Sequence, residues 1–251
     1  MKVMQRVVLM AVSLALLAIS MPVQASEMDR RIESSARKSY AFETYLQTDD
    51  IKIQSMDGVV TLTGTVSESS HKLLARESVA GLPGVKSVDD KLEVKGEPLS
   101  QDSDAWLMMK VKTTLLFHHS VSGFKTEVNG VKDGIVTLRG EASSQAQKDL
   151  TTEYAKGVEG VKDVRNEMTV TGEKTSRTVG QDVDDASITA QVKVILLYHR
   201  STSARDTSVT THNGVVTLGG KAHSAAEKDL AAKLVNDING VKGVKNLMTI
   251  E

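Results

Sequence analysis

The sequence contains no cysteine among its 251 residues. Disulfides and thiolate chemistry are therefore excluded, and so is a lipid anchor attached to a cysteine. Aromatic residues make up only 3% of the chain, so few side chains could stack on nucleic-acid bases or on sugars. The formal net charge is −1, and a chain this close to neutral lacks the basic face that nucleic-acid binding requires. We therefore expect no nucleic-acid partner.

The one long apolar run occupies residues 7–19. Lys2 and Arg6 precede it and a short stretch ending at Ala25 follows it, which is the pattern of a cleaved signal peptide. The run is too short and wrongly flanked for a membrane-spanning helix. We predict a signal peptide over 1–25 and a mature protein that is soluble in the periplasm or secreted. An uncleaved membrane anchor is the alternative.

The rest of the chain repeats one pattern three times. An eight-residue stretch begins with an Asp-Gly or Asn-Gly turn and continues as an alternating strand. A second shared tag, Gly-Val-Lys-x-Val, follows each copy at the same distance. We predict three domains, over 28–95, 102–171 and 184–251. The recurring glycines are interpreted as structural: Gly58, Gly64, Gly84, Gly134, Gly140, Gly160, Gly214, Gly220 and Gly240.

Each repeat is predicted to be α+β, in the order helix, strand, strand, helix, strand. The hairpin and the closing strand should form a three-stranded mixed sheet, in which the closing strand runs parallel to the eight-residue strand. Both helices should cover one face of that sheet. Gly64, Gly140 and Gly220 fall on the inward register, where a missing side chain would let a helix approach closely. Repeats of this size are near the limit for a self-sufficient core, so we also expect packing between them.

Three local features are predicted as well. The first helix of repeat one should end near Tyr45. Ser144 and Ser224 each have a Gln or Glu three residues later, which is the spacing of a capping box at the start of the second helix. Repeat two has more residues between its first helix and the eight-residue strand than repeat one, which predicts a longer or bulged hairpin.

The three (Asp/Asn)-Gly-(Val/Ile)-Val-Thr-Leu-x-Gly strands, each followed by Gly-Val-Lys-x-Val at a fixed separation, resemble the BON domain of bacterial envelope proteins. The pattern covers nearly the whole mature chain. The resemblance implies non-enzymatic binding to phospholipid surfaces or to envelope proteins, often linked to stress and outer-membrane integrity. It brings no catalytic residue and no cofactor. The missing cysteine sets this chain apart from the outer-membrane lipoproteins of that family.

The histidines and the acidic stretches do not have the spacing of a metal site. His118 and His119 are adjacent, and His118 aligns with His199 at the end of a predicted first helix, where a surface cap suits the helix dipole. The stretches 102–104 and 182–185 are acidic but precede helices, so N-capping explains them better than calcium binding. No metal ligand and no catalytic residue is predicted.

One cluster departs from the repeat. Trp106, Met108 and Met109 stand where the other copies have polar or small residues. They form a candidate contact patch for lipid headgroups or a client protein, because tryptophan suits a water–lipid interface. The alternative, which the sequence favours because exposed apolar groups usually have a partner, is that they pack against a neighbouring repeat or the linker.

These observations predict a periplasmic binding protein and not an enzyme. The favoured partners are phospholipid surfaces or envelope proteins, in envelope or osmotic stress. A holdase-type chaperone, whose open sheet edges capture unfolded clients, is the alternative. A passive spacer between envelope layers is a third interpretation.

Overall fold

The computed structural model describes residues 26–96, 100, 103–121, 125–172 and 183–251. The predicted signal peptide, 1–25, lies outside this part of the chain, as do Pro98, Asp102 and Asp182. The order of elements within the described residues repeats three times, as the sequence predicts.

The first repeat ends its first helix earlier than predicted. Its elements are α1 (Glu27–Arg37), a π-helical turn (Ala41–Tyr45), β1 (Asp50–Met56), β2 (Val59–Val66), α2 (Ser69–Ala80) and β3 (Ser87–Val94). The amide and the hydroxyl of Ser39 both donate to the carbonyl of Ala36. The amide of Tyr40, which would have continued the helix through that carbonyl, donates instead to Asp184 of the third repeat at 2.7 Å. The helix therefore stops at Arg37 and not near Tyr45.

The second and third repeats have the same order, with the closing strand divided into two short segments. The second contains α3 (Asp104–Phe117), β4 (Thr126–Lys132), β5 (Ile135–Ala142), α4 (Gln145–Gly157), β6 (Asp163–Asn166) and β7 (Thr169–Val170). The third contains α5 (Asp185–Tyr198), a 3-10 turn (Ala204–Asp206), β8 (Thr207–His212), β9 (Val215–Ala222), α6 (Ala225–Asn236), β10 (Gly243–Asn246) and β11 (Thr249–Ile250).

The eight-residue pattern forms the centre of each sheet. β2 pairs antiparallel with β1 and parallel with β3, and β5 and β9 pair in the same way with their neighbours. Inward side chains alternate along β2, where Val60, Leu62 and Val66 are fully buried. Helices of each repeat pack on its sheet, so the predicted α+β class and the mixed three-stranded sheet are confirmed.

The turn chemistry of the hairpins follows the sequence. Asp57 and Gly58 have φ angles of 53° and 80°, which is the left-handed pair that a type I′ turn requires. The other two turns have φ angles within a few degrees of these. In the second repeat the pairing register shifts between Val128 and Gly130, so a bulge is present in the hairpin as predicted.

The glycine that closes each eight-residue pattern has a different neighbour from the one predicted. Gly64 lies on the inward register with a φ of +113°, and a Cβ built on it would stand 2.0 Å from the carbonyl oxygen of Asp50. That atom belongs to the neighbouring hairpin strand, so the expected approach of a helix is wrong. Gly140 and Gly220 have the same relationship to the strand beside them. Glycine is needed here because the backbone is left-handed and the paired strand is close.

The N-caps of the second helices are confirmed, whereas the reciprocal half of the capping box shifts by one residue. The hydroxyl of Ser224 accepts from the amide of Glu227 at 3.1 Å. The Glu227 carboxylate accepts in return from the amide of His223, the residue before the cap. Ser144 and Gln147 make the equivalent pair of contacts in the second repeat, where the amide of the preceding serine is the donor.

Packing between repeats runs through the helices, with α5 at the centre. Eleven of the 14 residues of α5 are buried, and it packs against both α2 and α3. A helix that is covered on nearly all sides belongs to the interior of a larger unit. The first and third repeats share one buried cluster, which also receives Met109 and Phe117 of the second repeat. The remaining buried apolar side chains of the second repeat form a cluster of their own. The expected packing between repeats is therefore confirmed.

Candidate functional site

The candidate contact patch on α3 is largely turned into the molecule. Met109 is 3% exposed and belongs to the cluster shared with the first and third repeats. Trp106 is half-buried against that same cluster, and Met108 is half-buried against the core of its own repeat. These positions support the alternative interpretation, in which the side chains pack against neighbouring repeats. In this arrangement the three do not form one exposed surface.

The acidic stretches before α3 and α5 cap helices only in part. N-capping is confirmed at Asp184, whose carboxylate accepts from the amide of Ser187 at 2.9 Å. In the second repeat the N-cap is Ser103, so Asp104 is not the cap that the sequence predicts. Asp104 and Asp185 are each the first residue of a helix, and their side chains do not act as N-caps.

These carboxylates instead accept hydrogen bonds from the hairpin turn of their own repeat. The two carboxylate oxygens of Asp185 accept from the amides of Asn213 and Gly214, both at 2.7 Å. Asp29 and Asp104 make the same pair of contacts with the turns of their own repeats. A carboxylate that accepts two adjacent backbone amides has its oxygens occupied, which is a structural role and not that of a calcium ligand.

The first repeat adds two hydroxyls to this arrangement. Asp29 is 2% exposed and accepts from the hydroxyls of Ser26 and Ser55, each at 2.6 Å. The hydrogen bond from Ser26, followed by those from Ser55 and the turn amides, holds the pKa of Asp29 well below its usual range. The carboxylate therefore stays ionised and keeps the turn fixed to the start of α1.

The second and third repeats meet through a reciprocal pair of backbone contacts. His118 forms an isolated antiparallel bridge with Ile238, and His199 forms the equivalent bridge with Val158. Two backbone hydrogen bonds lie on each side of the junction, and all four are 2.8–3.0 Å long. Each repeat thus presents the same two segments, the end of its first helix and the end of its second. The junction has an approximate two-fold axis.

His118 ends α3 as predicted, but it is 1% exposed and so is not a surface cap. Its ring stacks on Tyr154, and its Nδ1 lies 3.5 Å from Oδ2 of Asp237. This contact is long for a hydrogen bond, and neither ring nitrogen makes a better one within the described residues. Asp237 also accepts from the hydroxyls of Tyr154 and Ser120, and Nε2 of His119 lies 3.1 Å from it.

His199 occupies the equivalent place on the other side of the axis, with different surroundings. Gly157 stands where the third repeat has Asp237, and a Cβ built on it would be 2.7 Å from Nε2 of His199. Nδ1 of His199 accepts from the amide of Ser201 at 3.1 Å. Burial, with the nearby charges of Arg200 and His118, lowers the pKa of His199 to about 4. The ring is therefore neutral at pH 7 and does not supply the cation expected at the end of α5.

No group of three or more His, Asp or Glu side chains within the described part of the chain is placed to hold a metal ion. No helix in that part of the chain is long and apolar enough to cross a membrane. A groove of ≈ 460 Å³ lies between α3 and the hairpin strand β4, lined by Lys112, Leu115, Leu116, Thr126, Glu127, Val128 and Asn129.

The repeated unit matches a known family in all three copies. A family model described as the BON domain matches residues 28–96, 103–172 and 184–251. The chain belongs to the BON family. The resemblance that the repeated strands suggest is thereby confirmed, and the three matched ranges are BON1, BON2 and BON3 below.

The chain is similar to an osmotically inducible protein and to an outer membrane lipoprotein. Osmotically-inducible protein Y of Escherichia coli K12 is 31% identical over 196 residues, which cover 78% of this chain and 95% of that protein. Outer membrane lipoprotein DolP of Haemophilus influenzae is 36% identical over 118 residues, or 47% of this chain and 59% of the lipoprotein. A solved structure of CdsD, a structural protein of the type III secretion system of Chlamydia trachomatis, is 17% identical and covers 88% of this chain, with a TM-score of 0.24. That likeness is too weak to bear on function.

The polar cluster between BON2 and BON3 is the feature that sequence reasoning missed. Its members come from three separate places in the chain, and Asp237 and Tyr154 carry no motif of their own. One signal was available: His118 aligns with His199, which suggests a shared position. The alignment does not show which domain the end of each helix contacts. A helix end that faces water and one that faces another domain have the same local sequence.

Proposed function

We propose that this chain is a non-enzymatic binding protein of the cell envelope, which associates with envelope proteins or phospholipid surfaces in osmotic or envelope stress. Membership of the BON family supports this, together with its likeness to an osmotically inducible protein and to an outer membrane lipoprotein. The predicted signal peptide favours the periplasm as its compartment.

The closing strands of BON2 and BON3 favour a protein partner. Val170, Leu247 and Ile250 lie on or beside these strands and are 44%, 67% and 54% exposed. Within the described residues each closing strand pairs with one neighbouring strand only, so its other edge is not covered by a strand. Side chains of the same repeat bond the backbone of Met168 and Met248 in the middle of these strands, which leaves the segments on either side for a partner. An edge with apolar side chains beside it suits the addition of an extended segment of another protein. This exposed edge is the observation on which the proposal rests.

Two further partner classes follow from the same proposal. A phospholipid surface would need an accessible apolar patch, and the half-buried Trp106 with the buried Met109 supports this less than the open edges support a protein. A holdase-type chaperone would use those same edges to capture unfolded clients, so it is the second candidate function.

The test uses the chain without residues 1–25. We expect it to suppress light scattering by a chemically denatured client and to bind weakly to vesicles of either anionic or zwitterionic lipid. Leu247→Lys with Ile250→Lys should abolish the suppression, because two charges would flank the edge. Met56→Lys is the matched control, since Met56 is 56% exposed but lies on the hairpin of BON1.

Three outcomes decide between the partners. If the double variant no longer suppresses light scattering while the control still does, the client binds at the closing-strand edges. Strong vesicle co-sedimentation that falls in Trp106→Ser would assign the patch to lipid instead. The proposed function would be contradicted if the chain bound none of the three: a denatured client, proteins of an envelope extract, or vesicles.

A further inference from the structure

BON2 is attached to the rest of the molecule in a way that would let it separate as a unit. BON1 and BON3 share a buried cluster, whereas BON2 has one of its own. Met109 and Phe117 are the side chains of BON2 that are buried in the shared cluster. Separating BON2 would therefore leave each buried cluster largely intact, while separating BON1 from BON3 would divide one.

The charges at the BON2–BON3 junction are unbalanced. His118 and His119 come from the end of α3, and His199 and Arg200 come from the end of α5. Lys110 also reaches this region, where its Nζ donates to the carbonyl of Glu159 at 2.6 Å. Among the described residues at the junction, the buried acid is Asp237, at the end of α6. The carboxylates of Glu153 and Glu159 on the α4 side belong to exposed residues.

The carboxylate of Asp237 lies on only one side of the approximate two-fold axis. The Asp237 carboxylate lies 3.5 Å from Nδ1 of His118 and 3.1 Å from Nε2 of His119, so both of these rings have an acidic neighbour. His199 faces Gly157, which has no side chain to compensate a charge. Arg200 adjoins His199 in the sequence, and the positive charge of that side chain opposes a positive charge on the ring.

The hydrogen bonding of His199 also favours the neutral ring. Its Nδ1 accepts from the amide of Ser201, so the proton of the neutral ring is on Nε2, which faces Gly157. A second proton would have to be placed on Nδ1, where it would meet the N–H of Ser201. Protonation therefore replaces a hydrogen bond with two opposed donors and adds a charge at a half-buried position.

We propose that the BON2–BON3 junction is an acid-sensitive latch, which opens when His199 is protonated. Separation would expose the ring to water and remove it from Arg200 and His118. An exposed imidazole has a pKa near 6.5, whereas partial burial lowers the pKa of His199 to about 4. Because the pKa is lowered in the closed arrangement, that arrangement is fully favoured above about pH 6.5 and is progressively lost as the pH falls toward 4. At pH 5 the equilibrium between closed and open should shift toward open by roughly 10- to 30-fold.

The absence of cysteine makes the test direct. Ala146 and Ala226 are exposed and lie at equivalent places on α4 and α6. Spin labels on Ala146→Cys and Ala226→Cys would report the distance between BON2 and BON3 in the full chain. We expect one narrow distance distribution at pH 7.5 and a second, longer one that grows below pH 6. Trp106, the sole tryptophan, should show a red-shifted emission over the same range.

Variants separate this proposal from general acid unfolding. His199→Gln should keep the short distance to a pH about one unit lower, while His212→Gln, which changes an exposed histidine, should follow the wild type. A wild-type distance that stays constant down to pH 4.5 would overturn the proposal, as would an unchanged response in His199→Gln. Should His199→Gln fail to fold, hydrogen exchange of the wild type decides. The amides of Glu159 and Arg200, which donate across the junction, must then lose protection below pH 6 before those within β9 do.

Discussion

The ring of His118 lies on the ring of Tyr154, with centroids 3.8 Å apart and planes inclined by 3°. Burial raises the pKa of Tyr154, so its hydroxyl remains protonated and donates to Asp237. Burial also acts to raise the pKa of Asp237, but the nearby ring of His118 and the hydrogen bonds from Ser120 and Tyr154 outweigh it and lower that pKa below its usual value. Asp237 is therefore ionised at neutral pH and joins BON3 to two elements of BON2.

Replacing Asp237 with asparagine should weaken the junction. Several donors would lose a charged acceptor, and the loss of such buried contacts costs about 1–3 kcal/mol. Because the pKa of Asp237 is lowered in the folded state, its contribution is present above about pH 4 and is lost as the pH falls through the folded value. Urea unfolding should therefore show a deficit for Asp237→Asn at pH 7 that shrinks below pH 4.

The matched control is Asp229→Asn, which changes an exposed carboxylate on α6. We expect it to unfold like the wild type at both pH values. A deficit in Asp237→Asn that is the same at pH 7 and pH 3 would mean that the side chain acts by packing and not by charge.

A second prediction concerns the carboxylate that holds the hairpin turn. Asp185→Ala would leave the amides of Asn213 and Gly214 without their acceptor. We expect a loss of about 0.5–1.5 kcal/mol in the free energy of unfolding, because water can reach the freed amides and replace part of the lost hydrogen bonding. The measurement is the urea midpoint at constant m-value. Asp29 and Asp104 make equivalent contacts, so a loss at Asp185 alone would contradict a shared structural role.

The hairpin and the closing strand could be predicted from the sequence because their signals are local. Asp57-Gly58 requires a left-handed turn, and the residues after it alternate with period two. The packing of α5 could not be predicted in the same way. One face of this helix carries Ile188, which lies against Gly240 of its own repeat, and another carries Ala186 and Ser187, which contact Gly81 and Ala41 of BON1. Small residues on the second face allow close contact but do not identify the partner.

A third prediction compares two glycines of BON3, one in a strained backbone conformation and one with open space around it. Gly220 has a φ of +97°, and an added Cβ would lie 1.9 Å from the carbonyl oxygen of Asp206. We expect Gly220→Ala to lower the free energy of unfolding by about 1–3 kcal/mol or more, since the backbone must shift. Gly243→Ala is the control in the same sheet, because nothing lies within 4 Å of its added Cβ. Equal stability of the two variants, measured by thermal unfolding, would show that the backbone of β9 at Gly220 relaxes at no cost.

The last prediction addresses why BON1 remains with BON3. Ser187 is fully buried on α5, and its hydroxyl accepts from the amide of Ala41 at 2.9 Å while donating to Asp184. Ser187→Ala would leave the Ala41 amide buried without that acceptor, at a cost of about 1–3 kcal/mol. Because the two domains share one buried cluster, this loss should lower the urea midpoint of both together and keep a single transition.

Ser208→Ala, which changes an exposed serine on β8, is the control and should leave the midpoint unchanged. A variant at Ser187 that unfolds BON1 first, in a separate transition, would show that the hydrogen bond to Ala41 holds two independently stable domains together. A single shifted transition would show instead that BON1 and BON3 fold as one unit. That second result would also agree with the proposal that BON2, which has its own core, separates from the other two domains.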